Sequence, residues 1–596
     1  MHPILLQAGF SAIDRHFADM LSRKSGVTDH DIIELFARLS ATLGRQNSCL
    51  RLEDQDLLDR LQAIDCVSVA SAGNEDSLAT PLILLPRPDH SLLYTSRFFA
   101  YEARIASDLI RRNRLVDDSD LQYQALIPYL DQHDDPRQQI AAIQAVTRQL
   151  TVITGGPGTG KTSTVVKIVA GLLNANPTLN IRLAAPTGKA AMRLSESIQS
   201  ALDRLPAATP VPIPTEVSTL HRLLGIRGDG QSFRYNPNNP LTVDTLILDE
   251  GSMIDLVMFD RVLGALPDHT RLIILGDPHQ LPSVDNGNVL ADITCQGDSY
   301  TDDFRKHIYE LANITLPGEP SNHQLADAHC QLKTSYRFQD DQGIGQLAHH
   351  LRHHQPLQLI NNDEVNFVVD FDSDSLMTAM SDMYQPYLDL CQQEASPDML
   401  IEAFDRARLL TPVREGEYGV NQLNTAFENH AFTDAPDYYH GKPIMIMRNH
   451  YALRLFNGDT GICVQRSAAD KTQIEVAFKN AAGEIEYYLP TRLPQHTTCF
   501  AMTVHKSQGS EFDEVLLVLP ETSREDFITR ELLYTGITRT RTRLNIFSAG
   551  ALQGTKTETR FSGLALRFLP DSTGTASIQT KTAATTNDQL DESKKR

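Results

Sequence analysis

The sequence predicts an α/β protein with two parallel sheets, a helical N-terminal module and a small antiparallel barrel inserted late in the chain. Three observations predict this. From about 135 to 330, the apolar runs LTVIT (150–154), IRLAAPT (181–187), VDTLILDE (243–250) and RLIILGD (271–277) alternate with helices. Strands separated by helices indicate a parallel sheet covered on both faces. A second set repeats the pattern: ARLLTP (407–412), TCFAMT (498–503), EVLLVLP (514–520) and RLNIFS (543–548). Between its first two members lie PIMIM, GICVQ, TQIEVAFK and IEYYLP, with turn signals at Asn457-Gly458 and Ala482-Gly483. That texture reads as a small antiparallel barrel.

Ahead of these, Ile32, Leu35, Phe36, Leu39 and Leu43 recur at helical spacing, and 93–110 reads as another helix. Phe36, Phe98 and Phe99 are expected in the core or against a partner. The domain limits that follow are 1–115, 116–330, 331–441 with 498–570, and 442–497 for the insert. The Thr/Ser-rich tail, 571–596, is expected to be disordered. A length of 596 residues is ample for such a division.

The first residues lack a basic leader, and no apolar stretch approaches the roughly 20 residues of a membrane helix. Seven cysteines lie far apart without a CxxC pair, which argues against a zinc ribbon, an iron–sulfur cluster or a disulfide scaffold and predicts a reducing cytoplasm. The net charge of −21 weakens loose adhesion to DNA but leaves room for a local groove. Composition alone favours a metabolic enzyme; the motifs overrule it.

GGPGTGKT (Gly155, Gly156, Pro157, Gly158, Thr159, Gly160, Lys161, Thr162) satisfies GxxxxGK[ST] between a strand and an apolar helix. Glycines let backbone N–H groups close on phosphate oxygens, and the helix N-terminus adds its dipole. Lys161 is expected on the β/γ-phosphates of ATP and Thr162 on Mg²⁺. VDTLILDE delivers Asp249, the expected Mg²⁺ partner, and Glu250, the base for the attacking water, to the sheet's C-terminal edge. Gln280, past RLIILGD, can reach the γ-phosphate or that water. A capping Asp277 explains part of the same turn.

Together with APTGKAA (185–191), TLHRLLG (219–225), LILDEGSMID (246–255), LGDPHQLPSV (275–284), LKTSYRF (332–338), TVHKSQGSEFDEV (503–515) and LLYTGITRTR (532–541), the P-loop resembles superfamily 1 DNA helicases of 5′→3′ polarity. More narrowly, the chain resembles the RecD family, the α subunits of exodeoxyribonuclease V. The resemblance runs from LGRQNSCLRL (43–52) to RFSGLALRF (560–568). It implies two RecA-like motor domains with ATP between them, an SH3-like insert, an N-terminal domain that binds RecB-like and RecC-like subunits, and single-stranded DNA and duplex ends as partners. Arg337 and Arg539 match the family's two phosphate-facing arginines, while Arg541 and Arg543 fit ordinary salt bridges. Gln138 matches the adenine-reading glutamine, with neighbouring Gln139 leaving the register open. Gly509 and Glu511 match positions near the nucleotide. Gly251 and Gly536 stand where the family commonly has Ala, and a looser turn is expected at each.

By the same resemblance, DNA contacts fall on Thr187, Lys189, His221, Thr503, His505 and Lys506. His221 also fits a packed core histidine. LAHHLRHHQP (347–356) has His pairs one turn apart but no third ligand, so a solvated helix face is expected. The ExK triplet at Glu592 lies in the tail, so nuclease chemistry is expected on a partner subunit. A stand-alone helicase and an ATP-gated structural subunit are the competing readings.

Overall fold

The computed structural model describes residues 9–70, 80–131, 135–205, 212–227, 232–338, 342–355, 361–432, 435–468, 471–480, 483–521, 528–550, 556–557 and 560–569. The tail at 571–596, its Glu592 triplet and Ala482 of the expected turn lie outside them.

The N-terminal module is helical where expected, over Ala12–Ser25, His30–Gly44 and Gln55–Gln62. It also contains a sheet that the sequence reading did not foresee: β1 (Leu50–Leu52), β2 (Val67–Val69), β3 (Leu82–Pro86) and β4 (Ser91–Thr95), in the order β1-β4-β3-β2. The helix expected over 93–110 begins instead at Ser96 and ends at Arg112. Short apolar runs such as Leu92-Leu93-Tyr94 carry no period that separates strand from helix; their antiparallel partners on β3 decide. Phe36 and Phe99 are buried in the core, as expected.

The first parallel sheet has six strands in the order β10-β5-β9-β8-β6-β7. They are β5 (Leu150–Gly155), β6 (Ile181–Ala185), β7 (Val217–Thr219), β8 (Thr245–Leu248), β9 (Arg271–Gly276) and β10 (His329–Leu332). Every residue of β5, β8 and β9 is buried, which is why these strands read as unbroken apolar runs. The second sheet is also wholly parallel, β11-β20-β19-β12-β18. It comprises β11 (Val365–Val369), β12 (Ala407–Thr411), β18 (Ala501–Thr503), β19 (Phe512–Leu519) and β20 (Thr540–Ser548). β7, β10 and β11 escaped the sequence reading because they are edge strands of three to five residues with mixed polarity.

The insert forms an antiparallel sheet in the order β16-β15-β14-β13-β17. These strands are β13 (Pro443–Ile446), β14 (Thr460–Ala468), β15 (Lys471–Lys479), β16 (Ile485–Tyr488) and β17 (His496–Thr498). Among the described residues no pairing of β16 with β17 is seen that would close the sheet into the expected barrel.

Residues 560–569, expected in the second motor domain, pack elsewhere. Leu564 and Phe568 join the core under the first sheet, and Phe561 and Leu566 pack on the N-terminal module. Ser48 N–H donates to Phe561 O at 3.1 Å, and Phe561 N–H to Asn47 Oδ1 at 2.6 Å. The two terminal motifs LGRQNSCLRL and RFSGLALRF thus meet in one seam. At its centre the fully buried Glu102 carboxyl accepts from Ser48 Oγ at 2.5 Å, Tyr94 OH at 2.9 Å and Gly563 N–H at 3.2 Å. Replacing Glu102 with alanine strands these buried donors, at about 1–3 kcal/mol each. The variant is expected to lose about 3 kcal/mol or more of stability by calorimetry, and Glu102→Gln less.

Candidate nucleotide and nucleic-acid site

β5 ends at Gly155, and the chain turns into the helix Lys161–Ala175, which is anchored by buried Val165, Val166, Ile168 and Val169. The turn places Gly158 at φ +76° and Gly160 at φ +85°, where a side chain is strained. It is also crowded. A β-carbon on Gly158 would collide with Cβ of Arg337, and one on Gly160 with the amide of Gln138. Lys161 Nζ donates to Gly155 O at 2.6 Å and Gly156 O at 3.1 Å, so its ammonium lies folded over the loop.

Gln138, in the first turn of the helix Pro136–Thr147, donates its amide to Thr159 O at 3.0 Å. Gln139 is half-buried and donates to Asp131 O at 3.2 Å. The register left open by the sequence therefore brings Gln138 to the P-loop.

β8 delivers Asp249 and Glu250 beside this loop. Burial, then the adjoining Glu250 carboxylate, push the Asp249 carboxyl up to about 7, against the pull of Glu250 N–H and Lys161. Glu250 adopts a left-handed backbone, φ 52° and ψ 46°. For a non-glycine residue this costs of order 1–3 kcal/mol, a strain held by the surrounding structure. Gly251 follows. A β-carbon there would lie 3.0 Å from both Ile274 Cγ2 and Leu275 O, so the turn is tight and the looseness expected from this glycine is corrected.

The segment after β10 clasps the P-loop from the other side. Tyr336 N–H donates to Gly158 O at 2.9 Å, and Ser335 Oγ to Pro157 O at 3.2 Å. Arg337 does not face the phosphate-binding turn with its guanidinium. Its two ends donate to the Glu511 carboxylate at 2.7 and 2.8 Å. Burial alone would raise the Glu511 carboxyl, but Arg337, Arg193 and Arg539 outweigh it and hold it down to about 2. A depressed carboxyl keeps its ion pair above the ordinary carboxylate range and loses it only as pH falls toward about 2. Arg539, 3% exposed, donates to Thr535 O at 3.1 Å and Ser510 O at 3.2 Å. Both arginines thus border the cleft with protein oxygens as partners.

The two sheets touch through the same motifs. Tyr534 OH donates to Asp277 Oδ2 at 2.9 Å, Leu281 N–H to Thr535 Oγ1 at 2.8 Å, and Gln508 Nε2 to Leu281 O at 2.9 Å. Gln280 is buried, 3.4 Å from Asp277 Oδ2. Gly509, at φ +68°, lies against Ala190, where a β-carbon would come within 3.3 Å. Sequence reasoning missed Tyr534, Ser335 and Arg193. Tyr534 sits inside LLYTGITRTR, so its signal was present.

Thr187, just past β6, and Thr503, the last residue of β18, act as helix caps, each hydroxyl accepting an N–H, from Ala190 at 3.2 Å and Lys506 at 3.3 Å. Thr219 does the same after β7, from Arg222 at 3.3 Å. His221 is half-buried with its ring 5.9 Å from that of Phe233, and burial lowers its pKa. Lys189 turns toward the second sheet, 6.0 Å from the Phe512 ring, and burial pulls its ammonium down to about 8. Lys506 bonds Asn457 of the insert, and His505 is exposed.

Sequence comparison connects these parts. The AAA domain family matches residues 138–286, the UvrD-like helicase C-terminal domain matches 498–547, and the RecBCD enzyme subunit RecD, N-terminal domain, matches 7–93. The RecBCD enzyme subunit RecD of Haemophilus influenzae is 36% identical over 69% of this chain and 68% of its own length. That of Mycobacterium tuberculosis is 31% identical over 89% of this chain and 92% of its own. The chain belongs to the RecD family. A more distant relative, the ATP-dependent RecD2 DNA helicase of Deinococcus radiodurans, is 29% identical over 68% of this chain but only 48% of its own length. The terminal seam holds residues 47–48 of the stretch matched to the RecD N-terminal domain. Among the described residues no helix is long and apolar enough to cross a membrane.

Proposed function

We propose that this RecD-family chain is an ATP-dependent 5′→3′ translocase on single-stranded DNA. It is the motor subunit of a RecBCD-type helicase–nuclease in double-strand-break repair, with nuclease chemistry on a partner. The carrying observation is that the P-loop, Asp249, Glu250 and Gln280 of one sheet meet Glu511, Tyr534 and Arg539 of the other, with Arg337 packed between them.

In this reading the P-loop N–H groups and Lys161 take the β- and γ-phosphates, and Gln138 reads the adenine edge. Thr162 and Asp249 would hold Mg²⁺. The fit rests on two hard oxygen donors and on an Asp249 carboxyl raised by burial and then by the adjoining Glu250 carboxylate. Bound Mg²⁺ neutralises charge on the phosphates. Glu250 accepts the proton of the attacking water, and Gln280 orients that water. Arg337 leaves Glu511 for the γ-phosphoryl, so Glu511 parks the arginine until the cleft closes. Glu511→Gln is therefore expected to raise hydrolysis without DNA by up to roughly tenfold, since a factor of ten takes only about 1.4 kcal/mol. Phosphate release with and without DNA checks this.

Closure and opening move the two sheets relative to each other, a hinge transition. Thr187 and Thr503, one on each sheet, accept a cap N–H and keep a hydroxyl proton to donate to a phosphate. Neutral donors supply grip without the hold of a dense basic patch. Lys189, His221, His505 and Lys506 line the same path, and Gly509 sets the approach of the two sheets. The domain limits given above belong to this proposal, with 560–569 moved to the N-terminal seam. The match to the RecD N-terminal domain supports RecB-like and RecC-like partners, and seven free cysteines suit a reducing cytoplasm.

The test is co-purification from cells followed by strand displacement on 5′- and 3′-tailed DNA. Partner subunits are expected to co-purify, and Lys161→Gln is expected to remove the 5′-tail-dependent component. Unchanged translocation by that variant would sink the motor reading.

A further inference from the structure

Beneath the P-loop lies a buried polar chain that the mechanism above does not use. Asp298, in the loop that follows the helix Val289–Thr294, holds the helix Pro136–Thr147 and β10 at once. Its Oδ2 pairs with the guanidinium of Arg137, the residue before Gln138. Its Oδ1 accepts Gln331 N–H of β10 at 2.7 Å and lies 3.4 Å from His329 Nδ1. The opposite ring nitrogen, His329 Nε2, is 2.7 Å from Thr154 Oγ1, and Thr154 immediately precedes Gly155. His329 and Thr154 are both buried. Burial pulls the imidazole down to about 4, so it is neutral, with Nε2 against the Thr154 hydroxyl and Nδ1 facing Asp298 and the Gly297 backbone.

The connections converge. Arg137 lies in the turn that brings Gln138 to Thr159 O. Gln331 pairs with Thr154 in the β10–β5 register, and β10 runs on into the Ser335–Arg337 clasp. We propose that Asp298 is a positioning residue that sets the distance between the adenine-reading glutamine and the phosphate-cradling loop, and so selects adenine nucleotides over guanine nucleotides. The carboxylate is fixed at both oxygens, Oδ1 by Gln331 N–H and Oδ2 by a single charge-assisted contact to Arg137, so it ties the start of the helix to β10. The proposal rests on the nucleotide reading above and adds a residue remote from the ligand.

The experiment is equilibrium binding of fluorescent ADP and fluorescent GDP to the full-length chain. Asp298→Asn keeps the shape and an acceptor for Gln331 N–H but removes the charge that holds Arg137. It is expected to weaken ADP about tenfold, as for a lost charge-assisted bond, and to leave GDP unchanged, so the preference for ADP collapses. Arg137→Met should do the same, and the double variant should add nothing further. Arg137→Met also covers the case in which Asp298→Asn fails to fold. Equal weakening of both nucleotides, or no change in either, overturns the proposal. Lys161→Ala separates the two readings: it should abolish binding of both nucleotides. A wild-type chain that binds neither would sink the nucleotide reading itself, whereas an unaltered ADP-to-GDP ratio in Asp298→Asn sinks only the inference drawn from Asp298.

Discussion

Arg337→Ala is expected to slow ATP hydrolysis by about 10³–10⁵-fold, the range for a charge supplied to the transferring phosphoryl group, while nucleotide binding changes little. The substitution is unusually clean. Alanine keeps the β-carbon that packs on Gly158, so the P-loop retains its wall. Glu511, left by Arg337, still has Arg541 at 3.3 Å and Arg193 at 4.0 Å, so no buried carboxylate is stranded. What disappears is the planar fork alone. Lysine should not restore the rate, because a point charge cannot reproduce two parallel donors. Single-turnover hydrolysis beside nucleotide affinity reads both quantities; a rate within tenfold of wild type would mean that Arg337 belongs to Glu511 permanently and never meets the nucleotide. Arg539 is a poorer test, since its bonds to Thr535 O and Ser510 O make its removal a packing lesion as well.

Glu250→Gln is expected to reduce hydrolysis by about 10²–10⁴-fold, the contribution of a positioned general base. Glutamine is nearly isosteric and can occupy the same left-handed backbone, so the strained turn before Gly251–Met253 should survive. It also removes one of the charges that push Asp249 up, and ATP with its metal should bind at least as well as before. The variant should therefore hold ATP and DNA together without turnover. Filter binding of DNA in the presence of ATP, beside phosphate release, checks this. Normal release would assign the base elsewhere.

Much of this site was legible in the primary structure because its determinants are local. GGPGTGKT needs only the residues that make a left-handed turn and a helix start, and VDTLILDE needs only an apolar strand that ends in two carboxylates. Both strand sets were readable for the same reason: a strand buried on two faces is predominantly apolar. The short edge strands β7, β10 and β11 carry no such pattern, and β4 was absorbed into a helix because three apolar residues have no period.

The sequence by itself determined that a P-loop stands between strand and helix, that two parallel sheets are present, and that the motif order is that of the RecD family. Only the tertiary structure decided that Gln138 rather than Gln139 faces the loop, and that Arg337 rests on Glu511, 174 residues away. It also decided that 560–569 belongs to the N-terminal seam, and that Asp298 ties Arg137, Gln331 and His329 together. The physical reason is one of range. Turns and strands are specified by neighbours along the chain, whereas the partner of a buried charge is whichever group the packed fold leaves within reach once water has been excluded.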